Sequence, residues 1–132
     1  MKCLLLPLVT AFAIAPAGAA SGHDEILKIA NASGCMACHQ VEKDPQGPPG
    51  LSPIAPAWRD IAARYKSVKG AQQQLTATVM TGSSPSSTGT SPYKNHWEGS
   101  VSGPYMPSHR SAITEPDAAR LIAWILALDA SR

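Results

Sequence analysis

Beyond residue 20 the sequence contains no phenylalanine, since the one in this 132-residue chain is Phe12. Apolar residues make up 44% of the whole chain and about 38% once residues 1–20 are set aside, below the usual share of a globular domain. Aliphatic side chains, three tyrosines, Trp58, Trp97 and Trp124 must therefore supply the core. A chain this short gains much from burying a cofactor. Charge of one sign is also scarce. The net charge is +2, or +1 without Lys2, which offers no basic surface to nucleic acid. After the first twenty residues no apolar run approaches the roughly 18 residues of a membrane span. No internal repeat is present, and no acid–base pair or activated nucleophile stands out, so the sequence does not read as that of an enzyme.

The first twenty residues read as a secretory signal. Met1-Lys2 is a short basic start, Leu4 to Ala15 is apolar apart from Pro7 and Thr10, and Ala17-Gly18-Ala19 offers the small residues a signal peptidase accepts. A cut after Ala19 or Ala20 leaves residues 21–132 as one domain, soluble and exported. Cys3 precedes the apolar stretch and is lost with it. It is also misplaced for a lipid-attachment cysteine, which must be the first mature residue.

Two cysteines remain, in Cys35-Met36-Ala37-Cys38-His39. Exported proteins normally spend cysteines on disulfides, but two thiols three residues apart, followed directly by histidine, read as a c-type haem attachment site. The spacing suits the chemistry: both thiols reach the vinyl-derived carbons on one side of a porphyrin, and the next residue falls beneath the iron as a neutral imidazole ligand. A thioredoxin-like pair requires a βαβ context that the flanking sequence does not show. A zinc site requires four ligands, and only His23, His96 and His109 stand beside the motif. A disulfide would close a very tight loop and leave His39 without a role. For the second axial position, Met36 lies within the attachment loop and cannot reach the opposite face. Met80 follows Leu75 and Val79 at helical spacing and reads as core. Met106, in a loop between two prolines, presents a thioether rigidly. His96, His109 or an open position are the alternatives.

Asp24 to Ala30 reads as a first helix with acidic residues near its positive end, stopped by Ser33-Gly34. Asp44 to Pro56 carries five prolines and two glycines and reads as a loop. Trp58, Ile61, Ala62 and Tyr65 recur at helical spacing, predicting a helix over about 57–65. Gly70 and Gly82 bracket a third, Ala71 to Thr81. Ser83 to Pro107 is a long polar segment. Thr114-Glu115-Pro116-Asp117 then reads as a helix start, and Ala118, Leu121, Ile122, Ile125 and Leu128 form the apolar stripe of a closing helix. The whole reads as all-α with long loops.

On these residues the chain resembles the small bacterial class I cytochromes c. Gly34 to His39 is similar to their attachment motif, and Ala55-Pro56-Ala57-Trp58 with the helix after it to their Gly-Pro-Ala-aromatic segment. Gly70 to Gly82 resembles their third helix, Pro104-Tyr105-Met106-Pro107 their Met-Pro loop, and Ala118 to Leu128 with Trp124 their closing helix. The stretches from His39 to Pro56 and from Gly82 to Met106 are longer than in the most compact members.

The resemblance implies about four short helices wrapped around one haem c, bound through Cys35 and Cys38 with His39 and Met106 as axial ligands. It implies that the Pro56 carbonyl accepts the Nδ1–H of His39 and that the indole of Trp97 donates to a haem propionate, while Trp124 packs between the end helices. Lys43, Lys66, Lys69 and Lys94 are candidates to ring an exposed haem edge, although the net charge does not support a strongly basic docking face. With both axial positions filled by protein, the expected function is one-electron transfer by a monomer in the periplasm, between redox partner proteins such as a dehydrogenase, reductase or oxidase. A dedicated haem subunit of one such complex is the alternative. A gas-binding protein, which needs a labile sixth position, ranks below both.

Overall fold

The computed structural model describes residues 18–43, 50–83, 96–97, 99–103 and 105–130. These hold four α-helices and one short 3₁₀ turn, with no strand among them. The helices are α1 (Gly18–Ala32), α2 (Trp58–Tyr65), α3 (Ala71–Thr81) and α4 (Glu115–Leu126), and the turn is Cys35–Ala37. No helix among the described residues is long and apolar enough to cross a membrane. The all-α expectation matches this architecture. Lys94, Pro104 and much of the two long loops lie outside the described residues.

α1 begins earlier than the sequence pattern predicts. It runs from Gly18 through Ala19 and Ala20, where high alanine propensity favours helix, so the expected cleavage point falls within its first turns. Asp24 and Glu25 sit in its interior and no acidic residue occupies its first turn, which corrects the expected placement at the positive end. Ile26 and Ala30 lie one turn apart on its buried face. Its end is as expected: the amides of Ser33 and Gly34 fold back to the carbonyls of Ile29 and Asn31.

α2 has no side chain capping its start. Its first amides are satisfied by chain folded across them instead, with Trp58 N–H donating to Gln40 O at 2.8 Å and Arg59 N–H to Val41 O at 3.2 Å. This ties α2 to the segment just after His39. Trp58, Ala62 and Tyr65, at i, i+4 and i+7, are its buried stripe. In α3, Ala71, Thr76 and Val79 are buried, and Thr76 satisfies its hydroxyl on Gln72 O at 2.7 Å. Leu75 is only partly buried and packs at the margin of the core.

α4 is the hub, packed against α1, α2 and α3. Its start is the one read from sequence: the Thr114 hydroxyl accepts from Asp117 N–H at 3.3 Å, with Pro116 in the first turn. Ala118, Leu121, Ile122 and Ile125 are buried along one stripe. Trp124 meets Trp58 edge to face, ring centroids 5.7 Å apart at 87°, and lies against the tilted ring of His23 of α1, centroids 5.2 Å apart at 55°. The surface pair Arg120–Glu25 at 2.9 Å also joins α1 and α4, but both groups are well exposed and the pair adds little.

Two outcomes follow for stability. Leu121→Ala, at a fully buried position, should cost about 2–5 kcal/mol of unfolding free energy. Thr114→Ala, which removes only the cap, should cost about 1 kcal/mol. Denaturant melts of both variants check the ranking.

Candidate functional site

After α1 the backbone tightens into the Cys35–Ala37 turn, in which Cys38 N–H and His39 N–H both donate to Cys35 O, at 3.3 and 3.0 Å. The turn puts the two thiols and the imidazole on one compact stretch of chain. Cys35 is half-buried, Cys38 is exposed, and both are free thiols. Burial pushes the Cys35 thiol above its ordinary range, so it rests protonated at neutral pH. No group of three or more His, Cys, Asp or Glu that could hold a metal ion occurs among the described residues. Nor do the described residues contain the strand that a thioredoxin-like setting requires.

His39 is turned by a single contact: its Nδ1 lies 2.8 Å from Pro56 O. A carbonyl can only accept, so Nδ1 carries the proton, and in the neutral ring Nε2 keeps its lone pair for a metal. Burial, the largest influence, pushes the imidazole pKa below its usual value; the Pro56 bond opposes this and the nearby His109 reinforces it. The ring is therefore neutral at physiological pH, the form that ligates. It also lies over Trp58, centroids 6.3 Å apart, on the helix whose first turn is stitched to Gln40 and Val41.

The chain brings Met106 near His39 although the two are remote in sequence. Met106 is partly buried against the core. Its N–H donates to Ser83 Oγ, and Ser83 N–H donates to Met106 O, each at 2.9 Å. Further along, His109 N–H donates to Val79 O at 3.0 Å, and the Ser108 hydroxyl donates to Met80 O. The Met106 loop is thus seated on the exit of α3. This reciprocal pairing joins residues far apart in the chain and has no local signal in the sequence.

The other histidines and methionines have settings of their own. His96 stacks on Tyr65, centroids 5.9 Å apart at 16°, with its Nδ1 2.8 Å from the Tyr65 hydroxyl. His109 donates from Nδ1 to Pro107 O at 2.9 Å. Met36 is exposed, and Met80 packs beside the core as expected. Trp97 packs edge to face against Tyr65 and lies beneath the Arg64 guanidinium, 4.8 Å from its ring centroid. This Arg64–Tyr65–His96–Trp97 cluster was not foreseen, because nothing in the sequence pairs residues 64–65 with 96–97. Lys43 faces Asp60 at 3.8 Å.

The donor set fits a c-type haem. Two unpaired thiols stand in attachment spacing, an imidazole is held by Nδ1 with Nε2 free, and a thioether is carried on an anchored loop. Met36, Ile54 and Tyr105, each within two residues of a candidate haem-binding residue or of Pro56, are exposed apolar side chains.

The family profile described as Cytochrome c matches residues 24–129. The chain is 32% identical over 119 residues to cytochrome c-551 of Allochromatium vinosum, across 90% of this chain and 97% of that protein. It is 31% identical over 100 residues to cytochrome c2 of Rhodocyclus tenuis, across 76% of this chain and 88% of that protein. Among solved structures it is similar to wild-type cytochrome c552 of Nitrosomonas europaea, with a TM-score of 0.53 at 28% identity over 78% of this chain and 99% of that one.

The seat of the Met106 loop yields one expected outcome. Gly82 has φ +81°, and a Cβ placed there would meet Met106 O at 2.9 Å. Gly82→Ala should therefore cost roughly 1–3 kcal/mol. A denaturant melt checks the loss; an unchanged melt would contradict this seating of the loop.

Proposed function

Because the chain belongs to the cytochrome c family, we propose that its mature form carries single electrons through the periplasm on a haem whose iron is held by His39 and Met106. Haem c attached covalently through Cys35 and Cys38 is what the family entails, and these residues stand in its attachment positions. Electron transfer with redox partner proteins comes with the same membership. In the same reading the mature form begins after the cut at Ala19 or Ala20 and works as a monomer.

The observation that carries it is the bond from His39 Nδ1 to Pro56 O. It fixes the tautomer, holds the ring and leaves Nε2 as the free donor, as a proximal ligand requires. When bound, the haem supplies a one-electron change between ferrous and ferric iron, and the chain's own residues do the rest. Cys35 and Cys38 would hold the group by two thioethers, each thiol's S–H adding across a vinyl so that the hydrogen would end on carbon. Pro56 orients His39, and Ser83 seats Met106. With His39 and Met106 both holding the iron, no position would be left for a substrate, which supports a carrier over an enzyme. On the same reading, a cut after Ala19 or Ala20 trims α1 and places Asp24 and Glu25 near the start of the shortened helix, where acids are favoured.

Met106→His tests the distal ligand. A neutral, soft thioether favours ferrous over ferric iron more than imidazole does, so this change should lower the midpoint potential in a potentiometric titration. An unchanged potential in that variant would remove Met106 from the iron.

A further inference from the structure

The two long loops meet. Ser102 N–H donates to Pro53 O at 2.8 Å and Gly103 N–H to Ile54 O at 3.0 Å. The Ser102 hydroxyl reaches Ser52 O at 2.8 Å and Pro53 O at 3.3 Å. At Gly103 the two backbones approach so closely that a Cβ would lie 2.2 Å from Ile54 O and 3.1 Å from Ile54 C. Only glycine fits there, and the obstacle is backbone, which cannot rotate aside.

The position of this clasp gives it a consequence. Ile54 is two residues before Pro56, whose carbonyl holds His39. Gly103 is three residues before Met106, whose loop is held on its other side by Ser83. Three sets of hydrogen bonds, His39 to Pro56, Gly103 to Ile54 and Met106 to Ser83, joined by short stretches of chain, thus link the two candidate ligands without passing through a metal. Among the described residues the clasp is the tie nearest Met106 on its upstream side; the next is the packing of His96 and Trp97 on Tyr65 of α2.

We propose that Gly103 is a positioning residue for Met106: its clasp onto Ile54 keeps the thioether loop shut against competing ligands. The proposal rests on the reading of Met106 as axial ligand. A thioether that leaves the iron when its loop opens is displaced in proportion to the open population, so loosening the clasp raises the apparent affinity for any outside ligand.

Imidazole is the probe, added to the ferric, haem-loaded mature protein and followed through loss of the weak charge-transfer band of a Met–iron bond. Gly103→Ala should lower the half-displacing imidazole concentration about tenfold, by removing a backbone bond and forcing the strands apart. Ser102→Ala keeps the backbone bonds and loses only the hydroxyl contacts, so its shift should be about threefold in the same direction. A melting curve is recorded alongside, because a purely structural role would lower the melting temperature and leave the imidazole midpoint where it is. If Gly103→Ala fails to mature, Ser102→Ala decides alone. Wild-type midpoints in whichever variants mature overturn the clasp while sparing the ligand assignment. A wild-type protein lacking the Met–iron band overturns the ligand assignment itself, and the clasp with it.

Discussion

The hydrogen bond from His39 to Pro56 organises the site. A buried imidazole N–H left without an acceptor costs about 1–3 kcal/mol, and this one is satisfied by a carbonyl seventeen positions along the chain. To deliver that carbonyl, the segment ending at Pro56 must run back past the cysteine motif. Having done so, it launches α2 directly against the motif's own exit, where Gln40 and Val41 satisfy the helix's first amides. Motif, loop and helix are one stitched unit, and the neutral state of His39 follows from the burial they produce.

The two sides of the site are built differently. The His39 side is braced by helices: Trp58 lies under His39 and meets Trp124 of α4 edge to face, and α4 also packs on α1 and α3. The Met106 side is made of loop, held by a few backbone and serine hydrogen bonds to the exit of α3. Such a region owes its geometry to local contacts more than to the core, so it is where the protein's ligation is most open to adjustment.

Much of this was legible in the sequence. α3 and its flanking glycines, the Thr114 cap and the stripe Ala118, Leu121, Ile122 and Ile125 of α4 follow from local chemistry and are found where the pattern put them, whereas Leu128 lies beyond the helix end at Leu126 and is only partly buried. The motif from Cys35 to His39 announced its chemistry through spacing alone. The start of α1 was misplaced because the acids at 24 and 25 looked like a helix entrance, whereas the alanines before them extend the helix in the full chain. Three features had no local signal: the Gln40 and Val41 carbonyls in place of a side-chain cap on α2, the cluster of Arg64 and Tyr65 with His96 and Trp97, and the meeting of Ser102 and Gly103 with Pro53 and Ile54. Each joins segments far apart in the chain, and periodicity carries no information about such pairs. The bond between His39 and Pro56 is equally long-range, and only family resemblance brought it within reach of the sequence.

The most direct test of the account is a visible spectrum of the protein matured with a haem-attachment system, recorded oxidised, reduced and after denaturation. The account predicts a sharp reduced α-band, haem that stays on the denatured chain through Cys35 and Cys38, and the weak ferric charge-transfer band of a Met–iron bond. A ferric spectrum without that band would contradict Met106 as ligand, and a colourless protein after competent maturation would contradict the haem site altogether.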